Sequence, residues 1–186
     1  MRHDSLTACL LAGIATAGLT TAALTTSTQA QEPGAAPVPA QVLALAGCWR
    51  GEGEVMGKPV AISLSAKPVA LGALFVVETD SQASTDPTDG YAAHLIFAGR
   101  TGTDAAPGDI AGFFADSFGG DYTALGRGAS IPDGFEVAYD YPDAVFVNRW
   151  TIAPTAISWR IVTRDKTGAE ADFAAYSLAR TDCAPD

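Results

Sequence analysis

The chain is poor in positive charge, in histidine and in cysteine, and each shortage removes a class of function. There are 11 Lys and Arg against 21 Asp and Glu, for a formal net charge of -10. A surface so acidic repels phosphate backbones and anionic lipid heads, so no nucleic-acid or membrane-surface partner is expected. There are 2 histidines, His3 near the start and His94 in the body of the chain. A Ser–His–Asp or Cys–His site would have to use His94. That residue sits in "GYAAHLIFAG", residues 90–99, which is apolar on both faces and reads as packed structure. No Gly-x-Ser-x-Gly elbow occurs. A zinc site needs three or four His, Cys or carboxylate ligands and finds too few here, so no metal is expected. "DPTDG", residues 86–90, has acids and a glycine but lacks the calcium-loop pattern, and reads as a turn.

The N-terminus reads as a targeting segment. A short polar start is followed by the uncharged run "LTACLLAGIATAGLTTAALTT", residues 6–26, and then by small residues at Thr28 and Ala30. That order predicts a secretory signal peptide over 1–30, cut after Ala30. A membrane anchor is the alternative, but the run is rich in Thr, Ala and Gly and a cleavage pattern follows it. "LTAC" spells a lipoprotein box at Cys9, yet the apolar stretch follows that cysteine where it should precede it. Export to the periplasm or beyond leaves Cys48 and Cys183, and two cysteines in an exported chain suggest a disulfide. Residues 31–40, "QEPGAAPVPA", read as a flexible linker, which leaves a single domain at 41–183 and a short tail at 184–186.

Inside that domain the apolar period is two. "WRGEGEV" sets Trp49, Gly51, Gly53 and Val55 against Arg50, Glu52 and Glu54, and "PVAISLSA" alternates in the same way. About eight to ten such segments follow one another, separated by turns such as "MGKP", "FGGD", "IPDG" and "DKTG". Parallel strands need crossovers of a dozen or more residues, and the connections are too short for them. The fold class is therefore all-β: an antiparallel up-and-down meander, closed into a barrel to hide its two edges. The only helical candidate is "AQVLALA", residues 40–46.

A short helical lead, then Gly47, Cys48 and Trp49 opening the first strand, then a meander, and Arg180 in "YSLARTD" on the last strand together resemble the calycin superfamily. That group includes lipocalins, fatty-acid-binding proteins and nitrobindin-like barrels. "LAGCWRGEG" and "GFFADSFGGDYTALGRG" look most like uncharacterised exported bacterial members. The resemblance implies that Trp49 closes one end of the barrel with Arg180 packed over it, a structural pairing. In such a closed barrel with an even number of strands, the first and last strands pair antiparallel. Cys48 at the start of one then lies beside Cys183 at the end of the other, and a bridge would lock the seam. Nitrobindin-like proteins hold haem through a histidine near the C-terminal end. The matching segment here, "FAAYSLARTDC", has none, so no cofactor is expected.

The polar residues within strands are the remaining candidates for a site. Arg149 and Arg160 flank the "APT" turn, with Trp150 and Trp159 one residue from each. A four-residue loop puts the two tryptophans on one face and the arginines on the other. A three-residue loop mixes them. An arginine inside the barrel would hold a carboxylate; outside, it would pair with acids such as Glu136 or Asp140. Asp116, Tyr139, Tyr141 and Tyr176 would add polar points to an apolar lumen. The expected function is binding of a small apolar or amphipathic molecule. The alternatives are an isomerase or hydrolase using lumen carboxylate, tyrosine and arginine, or a structural domain with a filled core.

Overall fold

The computed structural model describes residues 35–184. The expected signal peptide, its cleavage site and Cys9 lie outside the described residues. The described chain forms a short helix, α1 (Ala40–Leu43), and ten strands: β1 (Gly47–Val55), β2 (Lys58–Val69), β3 (Leu74–Ala83), β4 (Gly90–Gly99), β5 (Asp109–Asp116), β6 (Ala124–Ile131), β7 (Gly134–Asp140), β8 (Val145–Ile152), β9 (Ala156–Arg164) and β10 (Glu170–Thr181). Each strand pairs antiparallel with its neighbours in sequence, and β1 pairs with β10 to close the barrel. Closure follows from the short hairpin connections, which allow no other strand order, and from the cost of leaving edge N–H and C=O groups unpaired.

The helical lead is shorter than the sequence suggests, one turn where two were expected. Carbonyls beyond it are taken by side chains of the barrel. Trp49 Nε1 donates to Leu45 O at 2.8 Å, and Arg180 Nη1 donates to Ala46 O at 2.8 Å. Val38, placed in the linker by composition, is buried in the core together with Val42 and Leu45. The chain therefore packs onto the barrel before residue 41. Gly47 turns from this lead into β1 with φ +118°, and a Cβ there would meet Arg180 Nη1 at 2.6 Å. Only glycine suits that backbone and that approach.

Side chains alternate between lumen and surface along each strand. On β9, Ile157, Trp159 and Ile161 point in, while Ser158 and Arg160 are exposed. The lumen is occupied through much of its depth by Trp49, Trp150, Tyr139, Phe75, Phe97 and Phe135, all fully buried. A run of rings crosses it: Phe97–Phe135 at 5.2 Å, Phe135–Trp150 at 5.7 Å, Trp150–Trp159 at 4.3 Å and Trp159–Tyr176 at 4.9 Å. Glycines make room for the bulk. Tyr139 lies across the cross-strand pair Gly112 and Gly126, where added Cβ atoms would come within 2.8 Å of its Oη and 2.7 Å of its ring.

Candidate functional site

The two ends of the barrel differ. At one end β1 begins and β10 finishes. Arg180 Cζ sits 4.0 Å from the centre of the Trp49 ring, and Arg180 Nε also donates to Pro154 O at 2.9 Å. A guanidinium over an indole face contributes about 0.5–2 kcal/mol. Cys48 and Cys183 are joined by a disulfide at this seam, with Cα atoms 5.1 Å apart. With α1 packed across it, this end is latched.

The opposite end receives the β3–β4, β5–β6, β7–β8 and β9–β10 connections. There the inward positions are only partly covered. Tyr91 on β4, Asp116 at the end of β5, Phe146 on β8, Phe173 on β10 and Tyr141 just past β7 are half-buried. Tyr91 Oη donates to Asp116 Oδ2 at 3.0 Å, and Phe118 N donates to Asp116 Oδ1 at 2.9 Å. The β5–β6 connection lays two exposed rings beside Tyr91: Phe118 at 5.7 Å from it and Tyr122 at 5.8 Å from Phe118. Tyr141 Oη donates to Tyr122 O at 3.0 Å, and its ring meets Phe146 at 5.3 Å, which meets Phe173 at 5.0 Å. The rim is thus a chain of aromatic rings around one carboxylate. Phe173 reaches it because the β9–β10 register shifts between Asp172 and Ala174, which re-aims the side chain.

Burial pushes the Tyr91 phenol well above its ordinary range, and the neighbouring Asp116 charge adds to this. Burial does the same to Tyr139, and it lifts Tyr176 to about 12. These hydroxyls stay protonated at neutral pH, and of the three Tyr91 donates, to Asp116. Tyr139 Oη and Trp150 Nε1 are buried without a hydrogen-bond partner, while Trp159 Nε1 donates to Asn148 Oδ1 at 2.9 Å.

The candidates from sequence are divided by the wall of the barrel. Trp150 pairs with Trp159 in register, so both tryptophans face inward and Arg149 and Arg160 face outward. Arg149 makes a two-pronged pair with Glu170 at 2.8 Å and bonds Glu136 at 2.6 Å. Arg160 pairs with Asp172. Val147 and Val162, opposite each other on the same outer face, are fully buried beside this network, as long charged side chains with apolar stems allow. Neither arginine lines the lumen, so a carboxylate held there by arginine has no donor in this hairpin. Asp116 and Tyr141 reach the mouth, while Tyr139, Tyr176, Trp150 and Trp159 lie deeper. His94 is on the outer face, 3.9 Å from Glu78, and offers no ligand to a haem in the lumen.

Tyr91, Phe118, Tyr122, Phe146 and Phe173 were not singled out from sequence. Their signal was positional: each lies at or beside a connection on the end away from Trp49. Two hollows of about 470 and 320 Å³ lie elsewhere, beside the β8–β9 turn and against residues 36–40.

No protein-family model matches this chain, and no curated protein matches it by sequence. Solved structures do match in fold. Rv2717c from M. tuberculosis superposes with a TM-score of 0.57 at 15% identity, over 77% of this chain and 99% of that one. The S-type phycobiliprotein lyase CPES from Guillardia theta superposes with a TM-score of 0.52 at 14% identity, over 77% and 92%. Each superposes on the closed antiparallel barrel of this chain over most of its own length. At such identity the likeness extends to the fold alone.

Proposed function

We propose that the protein is an exported calycin-like barrel that binds a small apolar or amphipathic molecule at its unlatched mouth. The observation that supports this most directly is the half-buried aromatic rim around Asp116, an apolar surface with a few convergent polar atoms. The bound molecule is held in the mouth, because the deeper lumen is taken up by tryptophan and phenylalanine. Export rests on the N-terminal sequence pattern, and a disulfide is in keeping with an oxidising compartment.

The test is native mass spectrometry of the exported protein for co-purified ligand, joined to titration with the neutral fluorophore N-phenyl-1-naphthylamine. Saturable binding is expected, weakened several-fold by Phe146→Ala or Phe173→Ala and unaffected by Phe113→Ala on the outer wall. Absence of both a co-purified molecule and saturable binding would favour the second reading, a structural barrel with a filled core. The buried rings of the latched half give that reading its support.

A further inference from the structure

We infer that the mouth selects a cationic amphiphile, a small molecule with an apolar body and one amine or quaternary ammonium head, and that Asp116 is its counter-charge. The inference rests on the mouth being a binding site, and it adds the class of ligand. Asp116 lies on the inward face of β5 at the rim, half-buried. Its carboxylate accepts from two neutral donors, Tyr91 Oη and Phe118 N. Among the described residues it has no ion pair. The arginines nearest in the sheet are committed elsewhere: Arg127 of the adjacent β6 pairs with Asp104, and Arg100, just past the adjacent β4, pairs with Asp104 and Asp109. Those of β8 and β9 are held outside the wall, Arg149 by Glu170 and Glu136, Arg160 by Asp172, and Arg164 by Glu170. A half-buried carboxylate gains most from a charged partner, and here the protein supplies none.

The rings point to the same class. Tyr91, Phe118 and Tyr122 form one run of contacts and Tyr141, Phe146 and Phe173 another, joined by the Tyr141–Tyr122 hydrogen bond. Aromatic faces carry negative charge density and attract ammonium groups, most strongly where water is partly excluded. An anionic head would meet Asp116 with no cation to offset it. The connections on this end carry Asp86, Asp89, Asp121, Asp143 and Asp165 against Lys166, with Lys58 at the start of β2 paired to Asp89, so the approach also favours cations.

The experiment displaces N-phenyl-1-naphthylamine from the full exported protein with three ten-carbon probes below their micelle concentrations: decyltrimethylammonium, decanoate and neutral decanol. The cation is expected to bind at least about tenfold more tightly than the other two, the size of effect a desolvated cation–π and charge pair gives. Asp116→Asn, which keeps shape and can still accept from Tyr91, is expected to bring the cation down to the level of decanol and leave decanol unchanged. Tyr91→Phe keeps the carboxylate and is expected to retain the preference. Asp133→Asn, in the exposed β6–β7 turn at the latched end, removes the same charge away from the mouth and is expected to retain it too. Equal binding of all three probes, tighter binding of decanoate, or a preference that survives Asp116→Asn would overturn the inference while the mouth still binds. Failure of the fluorophore and of every probe to bind would remove the mouth as a site, and the inference with it.

Discussion

Trp150 and Trp159 stack face to face across the β8–β9 hairpin, ring centres 4.3 Å apart and planes 12° from parallel. Register alone makes this contact, and it places Arg149 and Arg160 back to back with it on the outer wall. The stacked pair should give an exciton couplet in circular dichroism that disappears in Trp159→Phe and in Trp150→Phe. Trp159→Ala should cost about 3–5 kcal/mol in a denaturant titration, the usual range for emptying a buried tryptophan site. A couplet that persists in either Phe variant would show that the indoles are not stacked.

Gly126→Ala and Gly112→Ala test the way Tyr139 is seated. A methyl group at either position enters the space of a fully buried ring. Each should destabilise the barrel by about 1–3 kcal/mol, the range for overpacking a core. Gly126→Ala combined with Tyr139→Leu should recover part of that loss.

The Cys48–Cys183 bridge closes a loop with a sequence separation of 135 residues at the barrel seam. The chain-entropy account assigns such a long loop roughly 3–5 kcal/mol. Cys48→Ser with Cys183→Ser should lower the denaturation midpoint accordingly and leave the far-ultraviolet spectrum of the folded state unchanged. Peptide mapping of the exported protein without reductant should recover the linked pair.

Alkaline pH should act through the buried tyrosines. Burial raises Tyr176 to about 12 from an ordinary 10.0, and burial with the Asp116 charge raises Tyr91. A raised folded-state value means that the fold favours the protonated phenol. That contribution is intact below pH 10 and is lost as pH rises toward 12. Tyrosinate absorbance at these sites should therefore appear together with loss of near-ultraviolet circular dichroism above pH 10. Smooth titration of every tyrosine near 10 in a folded protein would contradict the burial of Tyr91 and Tyr176.

Acid pH should act on the outer wall. Hydrogen bonds from Arg149 and Arg164 hold the Glu170 carboxyl at about 2, below its ordinary 4.5. With the folded-state value depressed, the pairing stabilises above pH 4.5, and that contribution fades as pH falls toward 2. Carbon-detected NMR should find the Glu170 carboxyl still ionised at pH 3.5. Arg149→Gln should move its midpoint upward toward 4.5.

Much of the fold was legible along the chain. Alternation in "PVAISLSA" and its successors marks strands because one face of each must be buried, and the short turns permit only antiparallel neighbours. Tyr91 was harder to see. In "GYAAHLIFAG" both faces look apolar, since Ala92, Ile96 and Ala98 share the outer wall with His94 and the pattern has little contrast. Phe173 was hidden by the register shift beside it, which a strict period of two cannot anticipate. The hairpin of Trp150 and Trp159 was ambiguous for a related reason, because one residue of loop length exchanges the two faces.

The sequence by itself determined an all-β meander, the need to close it, and the residues available at its seam, because strand period and connection length are local properties of the chain. The tertiary structure decided which of those strands' side chains meet. Cross-strand register brings Asp116 to Tyr91, although 25 residues separate them, and sets Tyr141, Phe146 and Phe173 along the same rim. It also sends the arginines outward to Glu136, Glu170 and Asp172, leaving the mouth with a carboxylate and aromatic rings. Those pairings depend on cross-strand register and barrel closure, which couple residues far apart in the chain and leave no mark on any single stretch of it.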